Sequence, residues 1–208
     1  MLEKIDLTKK MEKEEYEKRM KRLEPELGRL QRECRERKIP VMIVFEGYGA
    51  SGKGAQIGAL IHALDPRGFT VYPVNNETEE ERLHPYLWRF WTKLPEAGRI
   101  ALYDSSGHRR VLNDRFDQKT GEAKVLEAFD SILAFERQLT DGGIVLIKFF
   151  LDIDKKEQKK RFKKLRESED TAWRVSRQDL KRNEEFERYQ KMNEEMILRT
   201  YTDYAPWN

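Results

Sequence analysis

The sequence predicts an α/β domain: a parallel sheet covered by helices on both faces, with a helical cover beyond its last strand. Three observations predict it. Short apolar runs alternate with helix-period segments between residues 41 and 154. The first run ends in a glycine-rich loop, Gly47-Tyr-Gly-Ala-Ser-Gly-Lys53-Gly54, that opens a helix. Beyond Asp154 the chain becomes basic and helix-forming.

Residues 9–38 read as helix, with Tyr16, Met20, Leu23, Leu27, Leu30 and Cys34 on one stripe and Pro25 and Gly28 expected to break it in two. The stripe either docks on the core or forms a dimer seam, and docking is the expectation. Val41–Gly47 is a buried strand, 53–64 a helix, and Phe69–Val74 a second strand. Thr78 and Glu81 form a capping box opening a helix through about Trp91, with Pro85 in its second turn. Arg99–Asp104 is the third strand. Helix 122–139 carries Leu126, Phe129, Leu133 and Leu139 and stops at Asp141-Gly142-Gly143, and Gly143–Asp154 is the fourth strand. Ser176 and Asp179 make another capping box, from which a long helix runs to about Arg199. The expected organisation is a helical extension over 1–38 and one domain over 39–208, with its cover at about 155–200.

The bulk properties exclude several classes. A chain of 208 residues makes one domain. Lys and Arg total 41 against 38 for Asp and Glu, so net charge names no partner. Cys34 is the sole cysteine, which excludes an intrachain disulfide and fits the cytoplasm. The scattered histidines make no zinc site. The longest apolar run, Ile144–Ile153, contains Lys148 and is too short to span a bilayer.

The loop carries the first chemical signal. Glycines let backbone N–H groups wrap an oxyanion, and the helix N-terminus adds a positive field. Lys53 supplies a point charge for the phosphate. Gly47, Gly49, Ala50, Ser51, Gly52 and Gly54 are therefore candidate phosphate-binding positions. Gly54 stands where most P-loop NTPases place a magnesium-ligating Ser or Thr. Asp104, ending a strand, either holds magnesium, directly or through water, or is a helix cap or a solvated turn residue. The run Lys155, Lys156, Lys159, Lys160, Arg161, Lys163, Lys164 and Arg166 is either a solvated helix face or a lane for a polyanion.

Together these pieces resemble the polyphosphate kinase 2 family, over roughly residues 39–207. The resemblance rests on the loop's Gly-Lys-Gly ending, Glu79-Glu80-Glu81-Arg82, Pro85-Tyr-Leu-Trp-Arg-Phe-Trp91, and the Asp104 turn with Arg110-Val111-Leu112. Ile147-Lys148-Phe149, Gln158 to Phe162, Trp173, Ser176, Asp179 and Ala205-Pro206-Trp207 extend it. It implies a three-layer fold like thymidylate kinase, Mg2+, a helical lid, and in-line phosphoryl transfer from inorganic polyphosphate to AMP or ADP. Neither nucleic acid nor membrane is an implied partner; a homodimer or a covalently linked partner domain is. It makes Lys53, Asp104, Arg110 and Arg161 the catalytic candidates, with Arg89 and Lys148 as further phosphate or nucleotide contacts.

Three departures stand against that pattern. The family places an Asp at the position of Gly49 and an Arg at that of Ser105. Loss of one charge-stabilising group slows phosphoryl transfer roughly a thousandfold or more. The alternative function is thus an impaired polyphosphate- or nucleotide-binding domain that supports an active partner. Arg109 or His108 are the nearby candidates to replace the missing cation, and Gly49→Asp with Ser105→Arg is expected to raise turnover if the lost groups limit it. The family also continues beyond Ala-Pro-Trp into a strand and a helix, so the fourth strand is expected to show an open edge.

Overall fold

The computed structural model describes residues 2, 5–74 and 76–208, and its centre is a four-stranded parallel sheet. β1 (Val41–Gly47), β2 (Phe69–Pro73), β3 (Ile100–Asp104) and β4 (Val145–Leu151) lie in the order β2-β3-β1-β4. In β1, Met42 and Val44 point into one apolar cluster while Val41, Ile43 and Phe45 point into another, as a two-residue period requires. Each face is therefore covered, and the domain has three layers. α1 (Lys13–Glu36) and α2 (Lys53–His62) cover one face. α5 (Gly107–Phe116), α6 (Glu122–Asp141) and α10 (Phe186–Arg199) cover the other. Leu102 and Tyr103 have no exposure, and burying a side chain of that size stabilises by about 1.5–3 kcal/mol.

The register brings the loop and the acid together. Phe45 pairs with Asp104, and Gly47 pairs with Leu151. The start of the glycine loop and the end of β3 thus share the carboxyl edge of the sheet, where open α/β sheets bind ligands.

Several expectations are corrected. α1 runs unbroken through Pro25 and Gly28. Gly28 packs instead, its missing β-carbon leaving room for the Ala63 carbonyl. The stripe on α1 divides: Leu27 and Cys34 dock on the core, while Tyr16, Leu23 and Leu30 are exposed. The helix expected after Thr78 is two single turns, α3 (Glu79–Arg82) and α4 (Trp88–Trp91), because Pro85 lies between them. The long helix after Ser176 breaks at Glu185 (φ −94°, ψ 35°) into α9 (Arg177–Glu184) and α10. Met196 and Ile197 bury α10 in the core, so the cover narrows to α7 (Lys155–Arg166), α8 (Glu169–Ala172) and α9. The outer edge of β4 is not bare: Phe150 N–H donates to the Asn208 carbonyl and Asn208 N–H to the Lys148 carbonyl.

Candidate functional site

The loop between β1 and α2 is held from three sides. Gly47 (φ 138°) lies so close to Leu151 of β4 that a β-carbon would overlap the Leu151 carbonyl. Ala50 adopts the left-handed conformation (φ 57°), which is strained for a residue with a side chain. Tyr48 stacks on Phe186 with ring centroids 5.0 Å apart. From above, α7 closes on the loop: Gln158 Nε2 donates to the Gly49 carbonyl at 3.0 Å, and Arg161 Nη1 to the Ala50 and Ser51 carbonyls at 3.1 Å each. Among the basic residues of α7, Arg161 is the one bonded to the loop among the described residues. Lys155, Lys156, Lys159, Lys160, Lys163 and Arg166 line a separate groove against α9.

Lys53 is 9% exposed, and its Nζ donates to the Gly47 and Tyr48 carbonyls at 3.1 Å each. Burial pushes its pKa down, and the Arg109 guanidinium pushes it further, while Glu46, Asp104 and Asp179 pull it back up. Glu46, next to last in β1, is fully buried and accepts from Ser106 N–H at 2.8 Å and Ser106 Oγ at 2.6 Å. Burial raises its carboxyl pKa, with Ser106 and Lys53 opposing. Sequence reasoning missed Glu46. The available signal was an acid inside the apolar run Val41–Gly47.

Asp104 Oδ1 is buried and accepts no hydrogen bond among the described residues. A carboxylate oxygen left so beside a P-loop lysine is what a cation site requires. Mg2+ binds through one or two carboxylates and fills its shell with water and phosphate oxygens. Asp104, with Asp179 sharing its influence on Lys53, therefore fits the ion the resemblance implies, although no group of three acidic, His or Cys ligands forms among the described residues. A β-carbon at Gly54 would meet nothing within 4 Å, so open space lies where other P-loop proteins place a hydroxyl.

Next to the loop lies a polar cavity of about 740 Å³, lined by Arg89, Arg109, Arg110, Asn113, Gln178 and Arg182 among others. Arg89 pairs with Glu81 at 3.4 Å, and Arg110 with Glu77 while its guanidinium lies 5.1 Å from the Tyr86 ring. The structure thus gathers Gly47 to Gly54, Asp104 and Arg161 at the loop and Arg89 and Arg110 in the cavity beside it.

Lys148 is the exception. It has no exposure, its Nζ lies 2.6 Å from Glu136 Oε2 and donates to the Thr200 carbonyl at 2.7 Å, and it sits over Trp207. Its assignment as a phosphate contact is corrected: it is a core ion pair, on the β4 face with Leu146 and away from the carboxyl edge. His108, 4% exposed, has a pKa held well below its usual value by burial and by Lys148, so it is neutral and supplies no cation near Ser105.

The fold and this loop define an α/β domain of the P-loop kinase class. A polyphosphate kinase 2 family profile matches residues 10–208, and the chain belongs to that family. Its whole length is 35% identical to 42% of a polyphosphate:AMP phosphotransferase of Pseudomonas aeruginosa. Over 92% of its length it is 32% identical to an ADP-polyphosphate phosphotransferase 3 of Rhizobium meliloti, covering 68% of that protein. A crystal structure of a polyphosphate kinase 2 from Pseudomonas aeruginosa superposes with a TM-score of 0.94 at 35% identity, over all of this chain and 44% of that one. One from Arthrobacter aurescens gives 0.92 at 26%, over all of this chain and 77% of that one. The chain spans less than half the length of the polyphosphate:AMP phosphotransferases it matches.

Proposed function

We propose that this domain transfers a terminal phosphoryl group from inorganic polyphosphate to a nucleotide, with AMP as the first choice of acceptor. The observation that carries the reading is the P-loop with buried Lys53 and the orphaned Asp104 oxygen, together with an arginine-rich cavity whose Arg109 acts on Lys53. The names of its relatives favour a polyphosphate donor.

In that reading the AMP phosphate is the nucleophile. One of its anionic oxygens forms a P–O bond to the terminal phosphorus of the chain. The anhydride P–O bond breaks, and its electron pair leaves on the oxygen of the shortened polyphosphate. The nucleophile is already ionised, so no general base is required. The protein's work is positioning and charge stabilisation. Lys53 and the N–H groups of residues 49–54 hold the transferring phosphate. Arg161 holds the loop carbonyls outward, and Arg89 and Arg110 receive the nucleotide. Mg2+, when bound at Asp104, offsets charge on the phosphate oxygens.

The competing reading, an impaired binding domain, rests on Gly49 and Ser105. Asp179 stands next to the first and Arg109 next to the second, so both lost charges have a neighbour of the same sign. We place the chain in the cytoplasm, whose reducing conditions suit its free Cys34. A second copy or a linked domain covering Tyr16, Leu23 and Leu30 belongs to the same proposal.

The test is coupled ADP formation from AMP, magnesium and polyphosphate. Turnover is expected, and Lys53→Ala should lower it by a factor of about a hundred or more. Equal rates in the two proteins would overturn the assignment.

A further inference from the structure

The cations of the cavity differ in one respect. Arg89 faces Glu81 at 3.4 Å, Arg110 faces Glu77, Lys119 faces Asp117 at 3.2 Å, and Arg182 faces Asp179 at 3.7 Å. Arg109 forms no ion pair among the described residues. Its Nη1 donates to the neutral Ser105 Oγ at 2.9 Å. It is half-buried, lines the cavity, and its charge reaches both Lys53 and Glu46. The guanidinium lines the arginine-rich cavity and acts on the P-loop lysine, with no carboxylate at ion-pair distance among the described residues.

Its anchor is equally unusual. Ser105 has no exposure and a left-handed backbone (φ 74°). Such strain costs of order 1–3 kcal/mol in a residue with a side chain and persists where the surroundings enforce it. Its N–H donates to the Phe45 carbonyl at 2.9 Å, which fixes the turn to β1 just before the P-loop. Ser105 and Arg109 are four residues apart, and Ser106 caps α5 through the His108 N–H, so the first turn of that helix aims Arg109 back over Ser105. A planar fork with an open side suits the several oxygens of a phosphate better than a lysine does.

We propose that Arg109, positioned by Ser105, contacts the terminal phosphate of the polyphosphate donor opposite Lys53, both when the donor binds and while the phosphoryl group moves to the acceptor in the cavity. This deepens the phosphotransfer reading and rests on it. Arg109 is then a catalytic residue and Ser105 a positioning residue.

Arg109→Ala, Arg109→Lys and Ser105→Ala are compared with the unmutated chain, after matched thermal unfolding confirms that each folds. Calorimetry with inorganic tripolyphosphate reads the contact without requiring turnover. Arg109→Ala should weaken tripolyphosphate about tenfold or more and lower kcat about a hundredfold or more, with partial rescue by added guanidinium ion. Arg109→Lys should fall between, and Ser105→Ala should lose less than Arg109→Ala without responding to guanidinium. A tripolyphosphate affinity for Arg109→Ala within twofold of the unmutated chain overturns the proposal, whether or not the chain turns over. If the unmutated chain shows no turnover while its tripolyphosphate binding still depends on Arg109, the contact stands and the phosphotransfer reading falls.

Discussion

Asp179 of α9 and Gly49 of the P-loop meet edge to edge: Asp179 Oδ1 stands 3.0 Å from where a β-carbon on Gly49 would be, and Phe162 Cζ at 3.2 Å. The cover thus brings a carboxylate to the loop position that lacks one. Restoring an acid there by Gly49→Asp would crowd α7 and α9 and set two carboxylates against each other. The gain in turnover that the sequence leads one to expect from Gly49→Asp with Ser105→Arg does not follow, since Ser105 has no room for an arginine either. Gly49→Ala should raise the polyphosphate KM about fivefold, an overpacking effect of about 1 kcal/mol. Gly49→Asp should raise it further, through like-charge repulsion. Steady-state kinetics check this, and a Gly49→Asp protein more active than the unmutated chain would refute it.

Lys148 and Glu136 make a prediction about stability. Lys148 has no exposure and Glu136 is 3% exposed, so removing one charge strands the other. Lys148→Met should destabilise the domain by about 3–5 kcal/mol in urea unfolding. Lys148→Met with Glu136→Leu should recover all but about 1–2 kcal/mol, since an apolar pair needs no compensation. Tripolyphosphate affinity should be unchanged in the double variant. A tenfold loss there would return Lys148 to the phosphate site.

These two pairs show where the sequence was legible and where it was not. Lys53 and Asp104 could be placed because the glycine loop fixes its own geometry and a strand-terminal acid lies at the ligand edge. Lys148 misled because a family match names a residue without saying which face it occupies. The two-residue period would have said so: Leu146, Lys148 and Phe150 alternate with Ile147, Phe149 and Leu151, and the two sets enter different clusters or their borders. Arg109 could not be separated from His108 as the replacement cation because α5 went unpredicted. Its opening, Gly107-His-Arg-Arg110, has no apolar period, and Ser106 as its cap was the missed signal.

Asp152, just past β4, sets a pH dependence. Burial, aided by Glu194 and Asp154, pushes its carboxyl up to about 6, against an ordinary 3.8. The folded state then holds a proton that the unfolded chain releases, so stability falls as pH rises between about 4 and about 6. Asp152→Asn should be more stable than the unmutated domain at about pH 7.5, by about 1 kcal/mol once solvent screening of this half-buried group is allowed for. The difference should vanish near pH 4. Denaturant unfolding at both pH values measures it, and a difference that does not depend on pH would remove Asp152 as its source.

Arg161 separates holding the loop from holding the phosphate. Its Nη1 binds the Ala50 and Ser51 carbonyls, and its Nε binds Glu157 at 2.8 Å. The Ser51 N–H is itself turned to the Tyr48 carbonyl at 3.2 Å, so the guanidinium and that bond fix the loop together, and Ala50 holds a strained conformation that relaxes without the anchor. Arg161→Ala should therefore raise the polyphosphate KM about tenfold, in line with two lost charge-assisted bonds at a partly exposed site. Gln158→Ala removes one neutral bond to Gly49 and should do less. Salt distinguishes the two roles, because each direct cation–phosphate contact releases condensed counterions and adds about one to the slope of log affinity against log salt concentration. A positioning role leaves that slope unchanged in Arg161→Ala while the affinity drops. A slope reduced by about one would instead put the guanidinium on the polyphosphate itself.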